Sequence, residues 1–560
     1  MILNFFAIVI IYLSIVGYSI AFKYFVNNFS IKEFNNLDII YGIFLLSLIA
    51  TIIHFFLPLK TVNHLIIVLG IFVKVYFFIF KKVKININYY LLFSIIFFII
   101  FISFSTGTLV DTSLYHLQTI KWFSEYKITF GLSNLEPRLG VNSLWHVFLS
   151  LFNFRFYQIQ TIYFVSSLVH AILIYEVFLN KKKFYKLSNF FLVFSIIFVL
   201  IFAIIHPFEN GTIYYLVGSP ENDTVVMCLF IITIYLFFKL LEEEKNKNFE
   251  YLNLIILYSL IAALSKLSHF SLILIPSLLI IIFKYSKIIN KINLLSFFLF
   301  SIMILRSIIL SGCIFFPVAS TCFKNISWGL PINDVDIAGK IYKSFARDTP
   351  LREKWTDFDH TLNSFDWLYP WFNEYVLNTS FFLILFILIF INLILFLIAK
   401  IYKIKKNNNI FNYSTFFSIV ALLYLSTFII WFQSPAIRYA YGPFISLISI
   451  MLSIIIFNFY LKFILKFKAF FNYKILFFFI LLCLILLIFK NISNFKYMFE
   501  SLPNKNEKPM NLIFLETVNE RKIYTSYSCG YFLGICASEP NLKYKITEKN
   551  DYLFFSRVKK

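Results

Sequence analysis

The sequence predicts an all-α polytopic membrane protein of about fourteen transmembrane helices, with extracytoplasmic loops and a small α/β C-terminal extracytoplasmic domain. Three observations carry this. Hydrophobic residues make up 60% of the 560-residue chain and charged residues only 14%, with a mean hydropathy of +0.81, whereas soluble domains are near half apolar and a quarter charged. Apolar runs long enough to cross a hydrocarbon core of about 30 Å recur along the chain. The lysines, finally, fall in the short gaps between those runs.

Those gaps set the threading. "KKVK" (81–84), "KKKFYK" (181–186), "KYSKIINK" (284–291), "KIYKIKK" (400–406) and lysines 462, 466, 468 and 474 mark cytoplasmic turns by the positive-inside rule. The net charge of +22 therefore reports orientation and membrane-lipid contact, and does not point to nucleic acid. Spans are expected near 5–22, 38–57, 65–80, 90–105, 155–178, 188–206, 223–240, 251–265, 268–284, 293–311, 379–400, 412–432, 440–460 and 475–490. The opening segment lacks a positive n-region and a cleavage site, so it reads as a retained span. Leu144–Phe152 is too short to cross, and is expected to lie along the interface or re-enter.

With both termini outside, everything large is extracytoplasmic. Residues 1–490 form the transmembrane domain, with outer loops 106–154 and 312–378, and residues 491–560 form the small C-terminal domain. The loop 312–378 carries six Lys/Arg against eight Asp/Glu. Alternating stretches such as "RKIYTSYS" and "LKYKITE" predict strands in the tail. No internal repeat stands out, which weakens an inverted-repeat transporter reading.

Cysteine placement agrees. Cys228 and Cys483 lie within expected spans. Cys313, Cys322, Cys529 and Cys536 fall outside, where disulfides form, most simply Cys313–Cys322 and Cys529–Cys536. No CxxC or Cys/His cluster signals a structural metal.

The ionisable residues collect at the outer ends of the spans. In "GTLVDTSLYHLQTIKWF" (107–123) a helix starting near Asp111 places Tyr115, Gln118 and Trp122 on the face of the acid, with His116 adjacent. The same residues fit an interfacial amphipathic helix that Asp111 merely caps. "NLEPRLGVNSLWH" (134–146) adds Glu136, Arg138 and His146. "VGSPENDTVV" (217–226) adds Glu221 and Asp223, "ALSKLSHFS" (263–271) adds Lys266 and His269, and "QSPAIRYAYGPF" (433–444) adds Arg438. Arg306 lies inside the span 293–311. Ionisable groups at membrane depth are costly and default to functional hypotheses. The bland alternatives are snorkelling for Lys266 and Arg306, capping for Asp223 and satisfied polar contacts for His146 and His269.

An acid after an early span, a Tyr four residues on, a later "SPxxD" opening a span and a Lys-Ser pair in a hairpin together resemble GT-C glycosyltransferases. More narrowly, "DTSLYHLQTIKW", "SPENDT", "SKLS" and "RSIILSGCIFFP" look like a bacterial group of GT-C-like membrane proteins found among polysaccharide genes. The resemblance covers roughly 90–450 and leaves the tail unexplained. It implies an enzyme of the bacterial cytoplasmic membrane whose site faces the periplasm or outside. That enzyme would move a sugar from a polyprenyl-phosphate carrier to a glycan or lipid acceptor. Asp111 would be the catalytic base, with Tyr115 and His116 positioning the sugar or tuning that acid. Lys266, Arg306 and Arg438 would hold the phosphate, and Glu136, Arg138 and Asp223 would orient hydroxyls. A single Asp stands where many such enzymes carry paired acids, which argues mildly against a divalent metal, and no other cofactor is implied. The rival readings are a surface-polysaccharide polymerase or ligase, working through arginine and histidine of the outer loop, and a lipid-linked sugar flippase or other transporter.

Overall fold

The computed structural model describes residues 1–28, 30–31, 33–105, 111–156, 159–179, 186–204, 218–242, 248–282, 291–348, 357–373, 413–459, 482, 485–486, 512–518, 521–526, 529–537 and 544–557. The expected span 379–400, most of 475–490 and Cys483 lie outside the described residues.

Helices dominate. Among the described residues, six are long and apolar enough to cross a membrane: Ile2–Val26, Asn36–Phe56, Thr161–Leu179, Asp223–Glu242, Lys291–Ser311 and Ile437–Ile454. Shorter apolar helices, including Asn63–Ile79, Leu187–Ile201 and Phe249–Ser265, accompany them. Length and uniform apolarity explain both the helical state and the bundle, because backbone groups in hydrocarbon must be bonded within the segment. Phe72, Phe78, Phe297 and Leu425 stay exposed on the outside, as lipid contact requires. Small residues let helices close on one another: a Cβ added at Gly17 would stand 1.9 Å from the Gly70 carbonyl oxygen, so Ile2–Val26 and Asn63–Ile79 cross in backbone contact.

The span expected at 155–178 starts later. Strands Arg155–Phe156 and Ile159–Gln160 form a short hairpin, a 3-10 turn covers Thr161–Tyr163, and the α-helix is Ser166–Leu179. The Phe154 amide donates to the Thr161 hydroxyl at 3.1 Å, so this polar side chain satisfies backbone that would otherwise begin the helix. Leu144–Leu151 is a short helix whose residues are all buried within the protein.

Polar groups gather at the two ends of the helices. At one end Lys23 bonds Asp38 at 2.8 Å and Glu250 at 2.6 Å, and Asn36 donates to Glu176 at 2.9 Å. Helix Asp223–Glu242 runs from the opposite end, where Asp223 meets Lys266. The charges selected from the sequence lie at that second end.

The tail is built of strands and covers this same end. Ile513–Val518, Arg521–Thr525 and Ile535–Ala537 make a three-stranded sheet, and Tyr544–Lys549 pairs antiparallel with Tyr552–Arg557. Strands are what the described residues of 491–560 form; the helical part of the α/β expectation lies outside the described residues. The backbone of Phe130 donates to Leu553 and accepts from Phe555, both at 2.9 Å, so the hairpin is seated on the 111–154 segment.

Candidate functional site

Breaks in the apolar helices create the site. Pro435 cannot donate the amide that would continue helix Tyr413–Gln433, and a 3-10 turn, Ile437–Ala440, presents Arg438 before the next helix. Pro220 precedes helix Asp223–Glu242 in the same way and leaves Glu221 in the approach to its first turn. Lys266 has extended backbone, φ −154° and ψ 124°, where helix Asn248–Ser265 stops. Asp111 opens a π-helix, Thr112–His116, that passes into the α-helix Leu117–Glu125. π-turns of this kind recur at functional sites.

These breaks converge on Arg438. Its Nη2 donates to Oδ2 of Asp111, while Nη1 stands 4.0 Å from Glu221 and Nε 3.8 Å from Asp223. Lys266 bonds the other oxygen of Asp223 and lies 3.9 Å above the Tyr439 ring. Thr112 shares a hydrogen bond with Ser219 at 2.7 Å and donates to Glu221 at 3.1 Å. Three carboxylates thus face two cations. Exposure divides them: the side chains of Asp111 and Arg438 are each 25% exposed, but Glu221 is 1%. The pair at the mouth can meet a ligand; the acid behind cannot.

Charge follows position. Burial alone would raise the Asp111 carboxyl, but Arg438 beside it, with Arg138 and Lys266 further off, holds it below the usual carboxylate range. Burial pushes Glu221 up to about 7, helped by the negative charge of Asp111 and opposed by Arg438. Two neighbouring acids are thereby driven apart, one ionised and one poised near neutrality, as at catalytic carboxylate pairs.

A second layer lines the mouth. The His116 ring lies tilted against Tyr115, centroids 4.1 Å apart, and its Nδ1 lies 3.0 Å from Nε2 of His146. Burial holds both imidazoles neutral, His146 down to about 3, so one ring donates and the other accepts. Arg138 donates to Glu136 at 2.8 Å, with its guanidinium 5.7 Å from the centre of the Tyr115 ring.

The structure therefore brings together Asp111, Tyr115, His116, Glu136, Arg138, His146, Asp223, Lys266 and Arg438. His269 sits one step behind Lys266, packed edge-on to Phe230 at 5.8 Å. Arg306 belongs elsewhere. It is fully buried, donates to His54 at 2.6 Å and Asn142 at 2.9 Å, and covers the Phe123 ring at 4.1 Å. Its expected grouping with Lys266 and Arg438 is corrected on these contacts. Asp111 does not cap its helix either: its side chain makes no capping hydrogen bond and turns to Arg438.

Tyr439 and the Thr112–Ser219 bridge were not singled out from the sequence. Tyr439 carries a usable signal, an aromatic next to the cation in "AIRYAY"; a serine and a threonine 107 residues apart carry none. Among the described residues no three His, Cys, Asp or Glu form a metal-binding group. The paired disulfides are Cys313–Cys322 and Cys529–Cys536, and Cys228 is buried and free.

Comparison with curated proteins and with solved structures finds no match. A family model described as a domain of unknown function, DUF8201, matches residues 1–445. That stretch holds every residue of the Arg438 cluster and stops short of the tail strands; the chain belongs to this DUF8201 family.

Proposed function

We propose that the chain is a GT-C-type membrane glycosyltransferase. It moves a sugar from a polyprenyl-phosphate carrier to a cell-surface glycan or lipid acceptor at the outer face of the bacterial cytoplasmic membrane. Its bundle has about fourteen spans, with the lysine-rich turns inside. The observation that carries the reading is the contact of a partly exposed carboxylate, Asp111, with Arg438, and of Lys266 with Asp223 beside them, where apolar helices end.

Glycosyl transfer from a lipid phosphate needs these parts. The acceptor hydroxyl oxygen forms a bond to the anomeric carbon while the bond from that carbon to the phosphate oxygen breaks. The phosphate leaves with the electron pair, and the hydroxyl proton passes to Asp111. Arg438, suited to bidentate phosphate contact, and Lys266 stabilise the charge on the leaving group. The apolar faces of the helices accommodate the prenyl chain. Tyr115 and His116 flank the sugar, and Glu136 and Arg138 face its hydroxyls.

Asp111→Asn tests this directly. Asparagine keeps the shape but cannot take the proton, a loss of about 10²–10⁴-fold. Surface-glycan profiles are compared in a deletion strain complemented with wild type or the variant at equal membrane levels. A variant restoring the full glycan refutes the assignment.

A further inference from the structure

We infer that Gln118 is a positioning residue for Asp111, supported from outside by the tail loop that the Cys529–Cys536 disulfide closes. This role depends on Asp111 being the proposed base, but it uses contacts wholly separate from the charge cluster.

Between Asp111 and the α-helix Leu117–Glu125 the backbone winds as a π-helix, a rare geometry found mostly as single turns. The tail contacts this region at two levels. The Gly530 amide donates to the carbonyl of Ser113 inside the π-turn at 2.9 Å. One turn on, Gln118, 2% exposed, donates from Nε2 to the carbonyls of Gly530 at 3.0 Å and Phe532 at 3.2 Å. Lys121 extends the row to the Gly534 carbonyl at 2.8 Å, and Asn153 donates to the Tyr531 hydroxyl. Each residue from Gly530 to Gly534 except Leu533 thus makes one of these polar contacts, and the Leu533 carbonyl accepts from Tyr126 at 3.4 Å.

The loop is shaped for this use. Gly530 has φ +53°, a left-handed conformation that a side chain would strain. The disulfide ties residues seven apart, and its second half continues into strand Ile535–Ala537, which pairs with Arg521–Thr525. A rigid loop thereby presents carbonyls to a buried carboxamide seven residues beyond Asp111. Gln118 does not touch Asp111. It holds the helix whose first turn aims the carboxylate, and a shift of about 1 Å in a reacting group costs on the order of 10²-fold in rate.

The test uses the full-length protein in nanodiscs with Gln118→Leu, and separately with Cys529→Ser/Cys536→Ser in case the first variant folds poorly. Three readouts are taken: hydrogen exchange of 111–125, binding of undecaprenyl phosphate, and the initial rate of glycan deposition after induction in the deletion strain. A positioning role predicts faster exchange at 112–116, unchanged lipid binding within about twofold, and a rate lowered by about 10²-fold. Unchanged exchange and rate in both variants overturn it. So does an equal loss of lipid binding, which marks a general folding defect. If Asp111→Asn keeps the full rate, the glycosyltransferase reading fails on its own, and the exchange result still decides whether the loop supports the π-turn.

Discussion

Arg438 donates to the carboxylate of Asp111 across 327 residues of chain. Under the proposed function that contact sets a condition on catalysis, since a carboxylate held by a guanidinium is a weak base. A donor phosphate would compete for the same guanidinium. Once it is engaged, Asp111 loses its nearest cation and gains a negative neighbour, and both effects raise its pKa.

The expected outcome is a split pH profile. The acid limb of kcat/KM reports the free enzyme and that of kcat the donor complex. Arg438 holds Asp111 low in the free protein, and a phosphate engaging Arg438 would lift that effect, so the acid limb of kcat should lie at higher pH than that of kcat/KM. Turnover of a polyprenyl-phosphate sugar in nanodiscs measures both. Coincident limbs would mean that the ion pair persists through the reaction.

Glu221 predicts the alkaline side. Its carboxyl is pushed up to about 7, first by burial and then by the charge on Asp111. The folded protein therefore holds an extra proton between the ordinary value of 4.5 and about 7. Stability from this group falls as pH rises through that window. Above about 7 the ionised acid also competes for Arg438, 4.0 Å away. Activity should decline there, and Glu221→Gln should flatten the decline while leaving the acid limb in place. A variant with the wild-type alkaline limb would remove Glu221 from the explanation.

How far the site could be read beforehand follows from the cost of charge in hydrocarbon. Asp111, Asp223, Lys266 and Arg438 stood out because each interrupts or ends an apolar run, and they do meet. Arg306 gave the same signal for another reason, since a lone guanidinium near a span end looks alike whether it faces a ligand or a histidine. Strands in the tail were legible from alternation, but alternation says nothing about which surface a sheet covers. The π-turn at 112–116 has no residue pattern of its own, and the Gln118 contacts depend on carbonyls more than 400 residues away.

Arg306 should behave as a stability residue. Arg306→Met removes the donor to the buried His54 and the half-buried Asn142, and leaving the His54 acceptor unpaired costs about 1–3 kcal/mol. The thermal midpoint in detergent should fall, while the KM for a polyprenyl-phosphate sugar stays within about twofold of wild type in the surviving fraction. Arg438→Gln should do the reverse, raising donor KM with a smaller loss of stability. A large rise in donor KM for Arg306→Met would restore this residue to the phosphate site.

Orientation decides on which side of the membrane all this happens. The described lysine-rich turn, 81–84, lies at the Lys23–Asp38 end of the helices, opposite the Arg438 cluster, so one label at each end is enough. A cysteine at Ile337, exposed on helix Ile332–Asp348, should react with an impermeant maleimide in intact cells. A cysteine at Lys183 should react only after permeabilisation. Native thiols interfere little, because four cysteines are disulfide-bonded and Cys228 is buried; Cys483 is replaced by Ser in both variants. Labelling of Lys183→Cys from outside would invert the threading, put Asp111 on the cytoplasmic face, and refute an outer-face transfer whatever the charge cluster can do chemically.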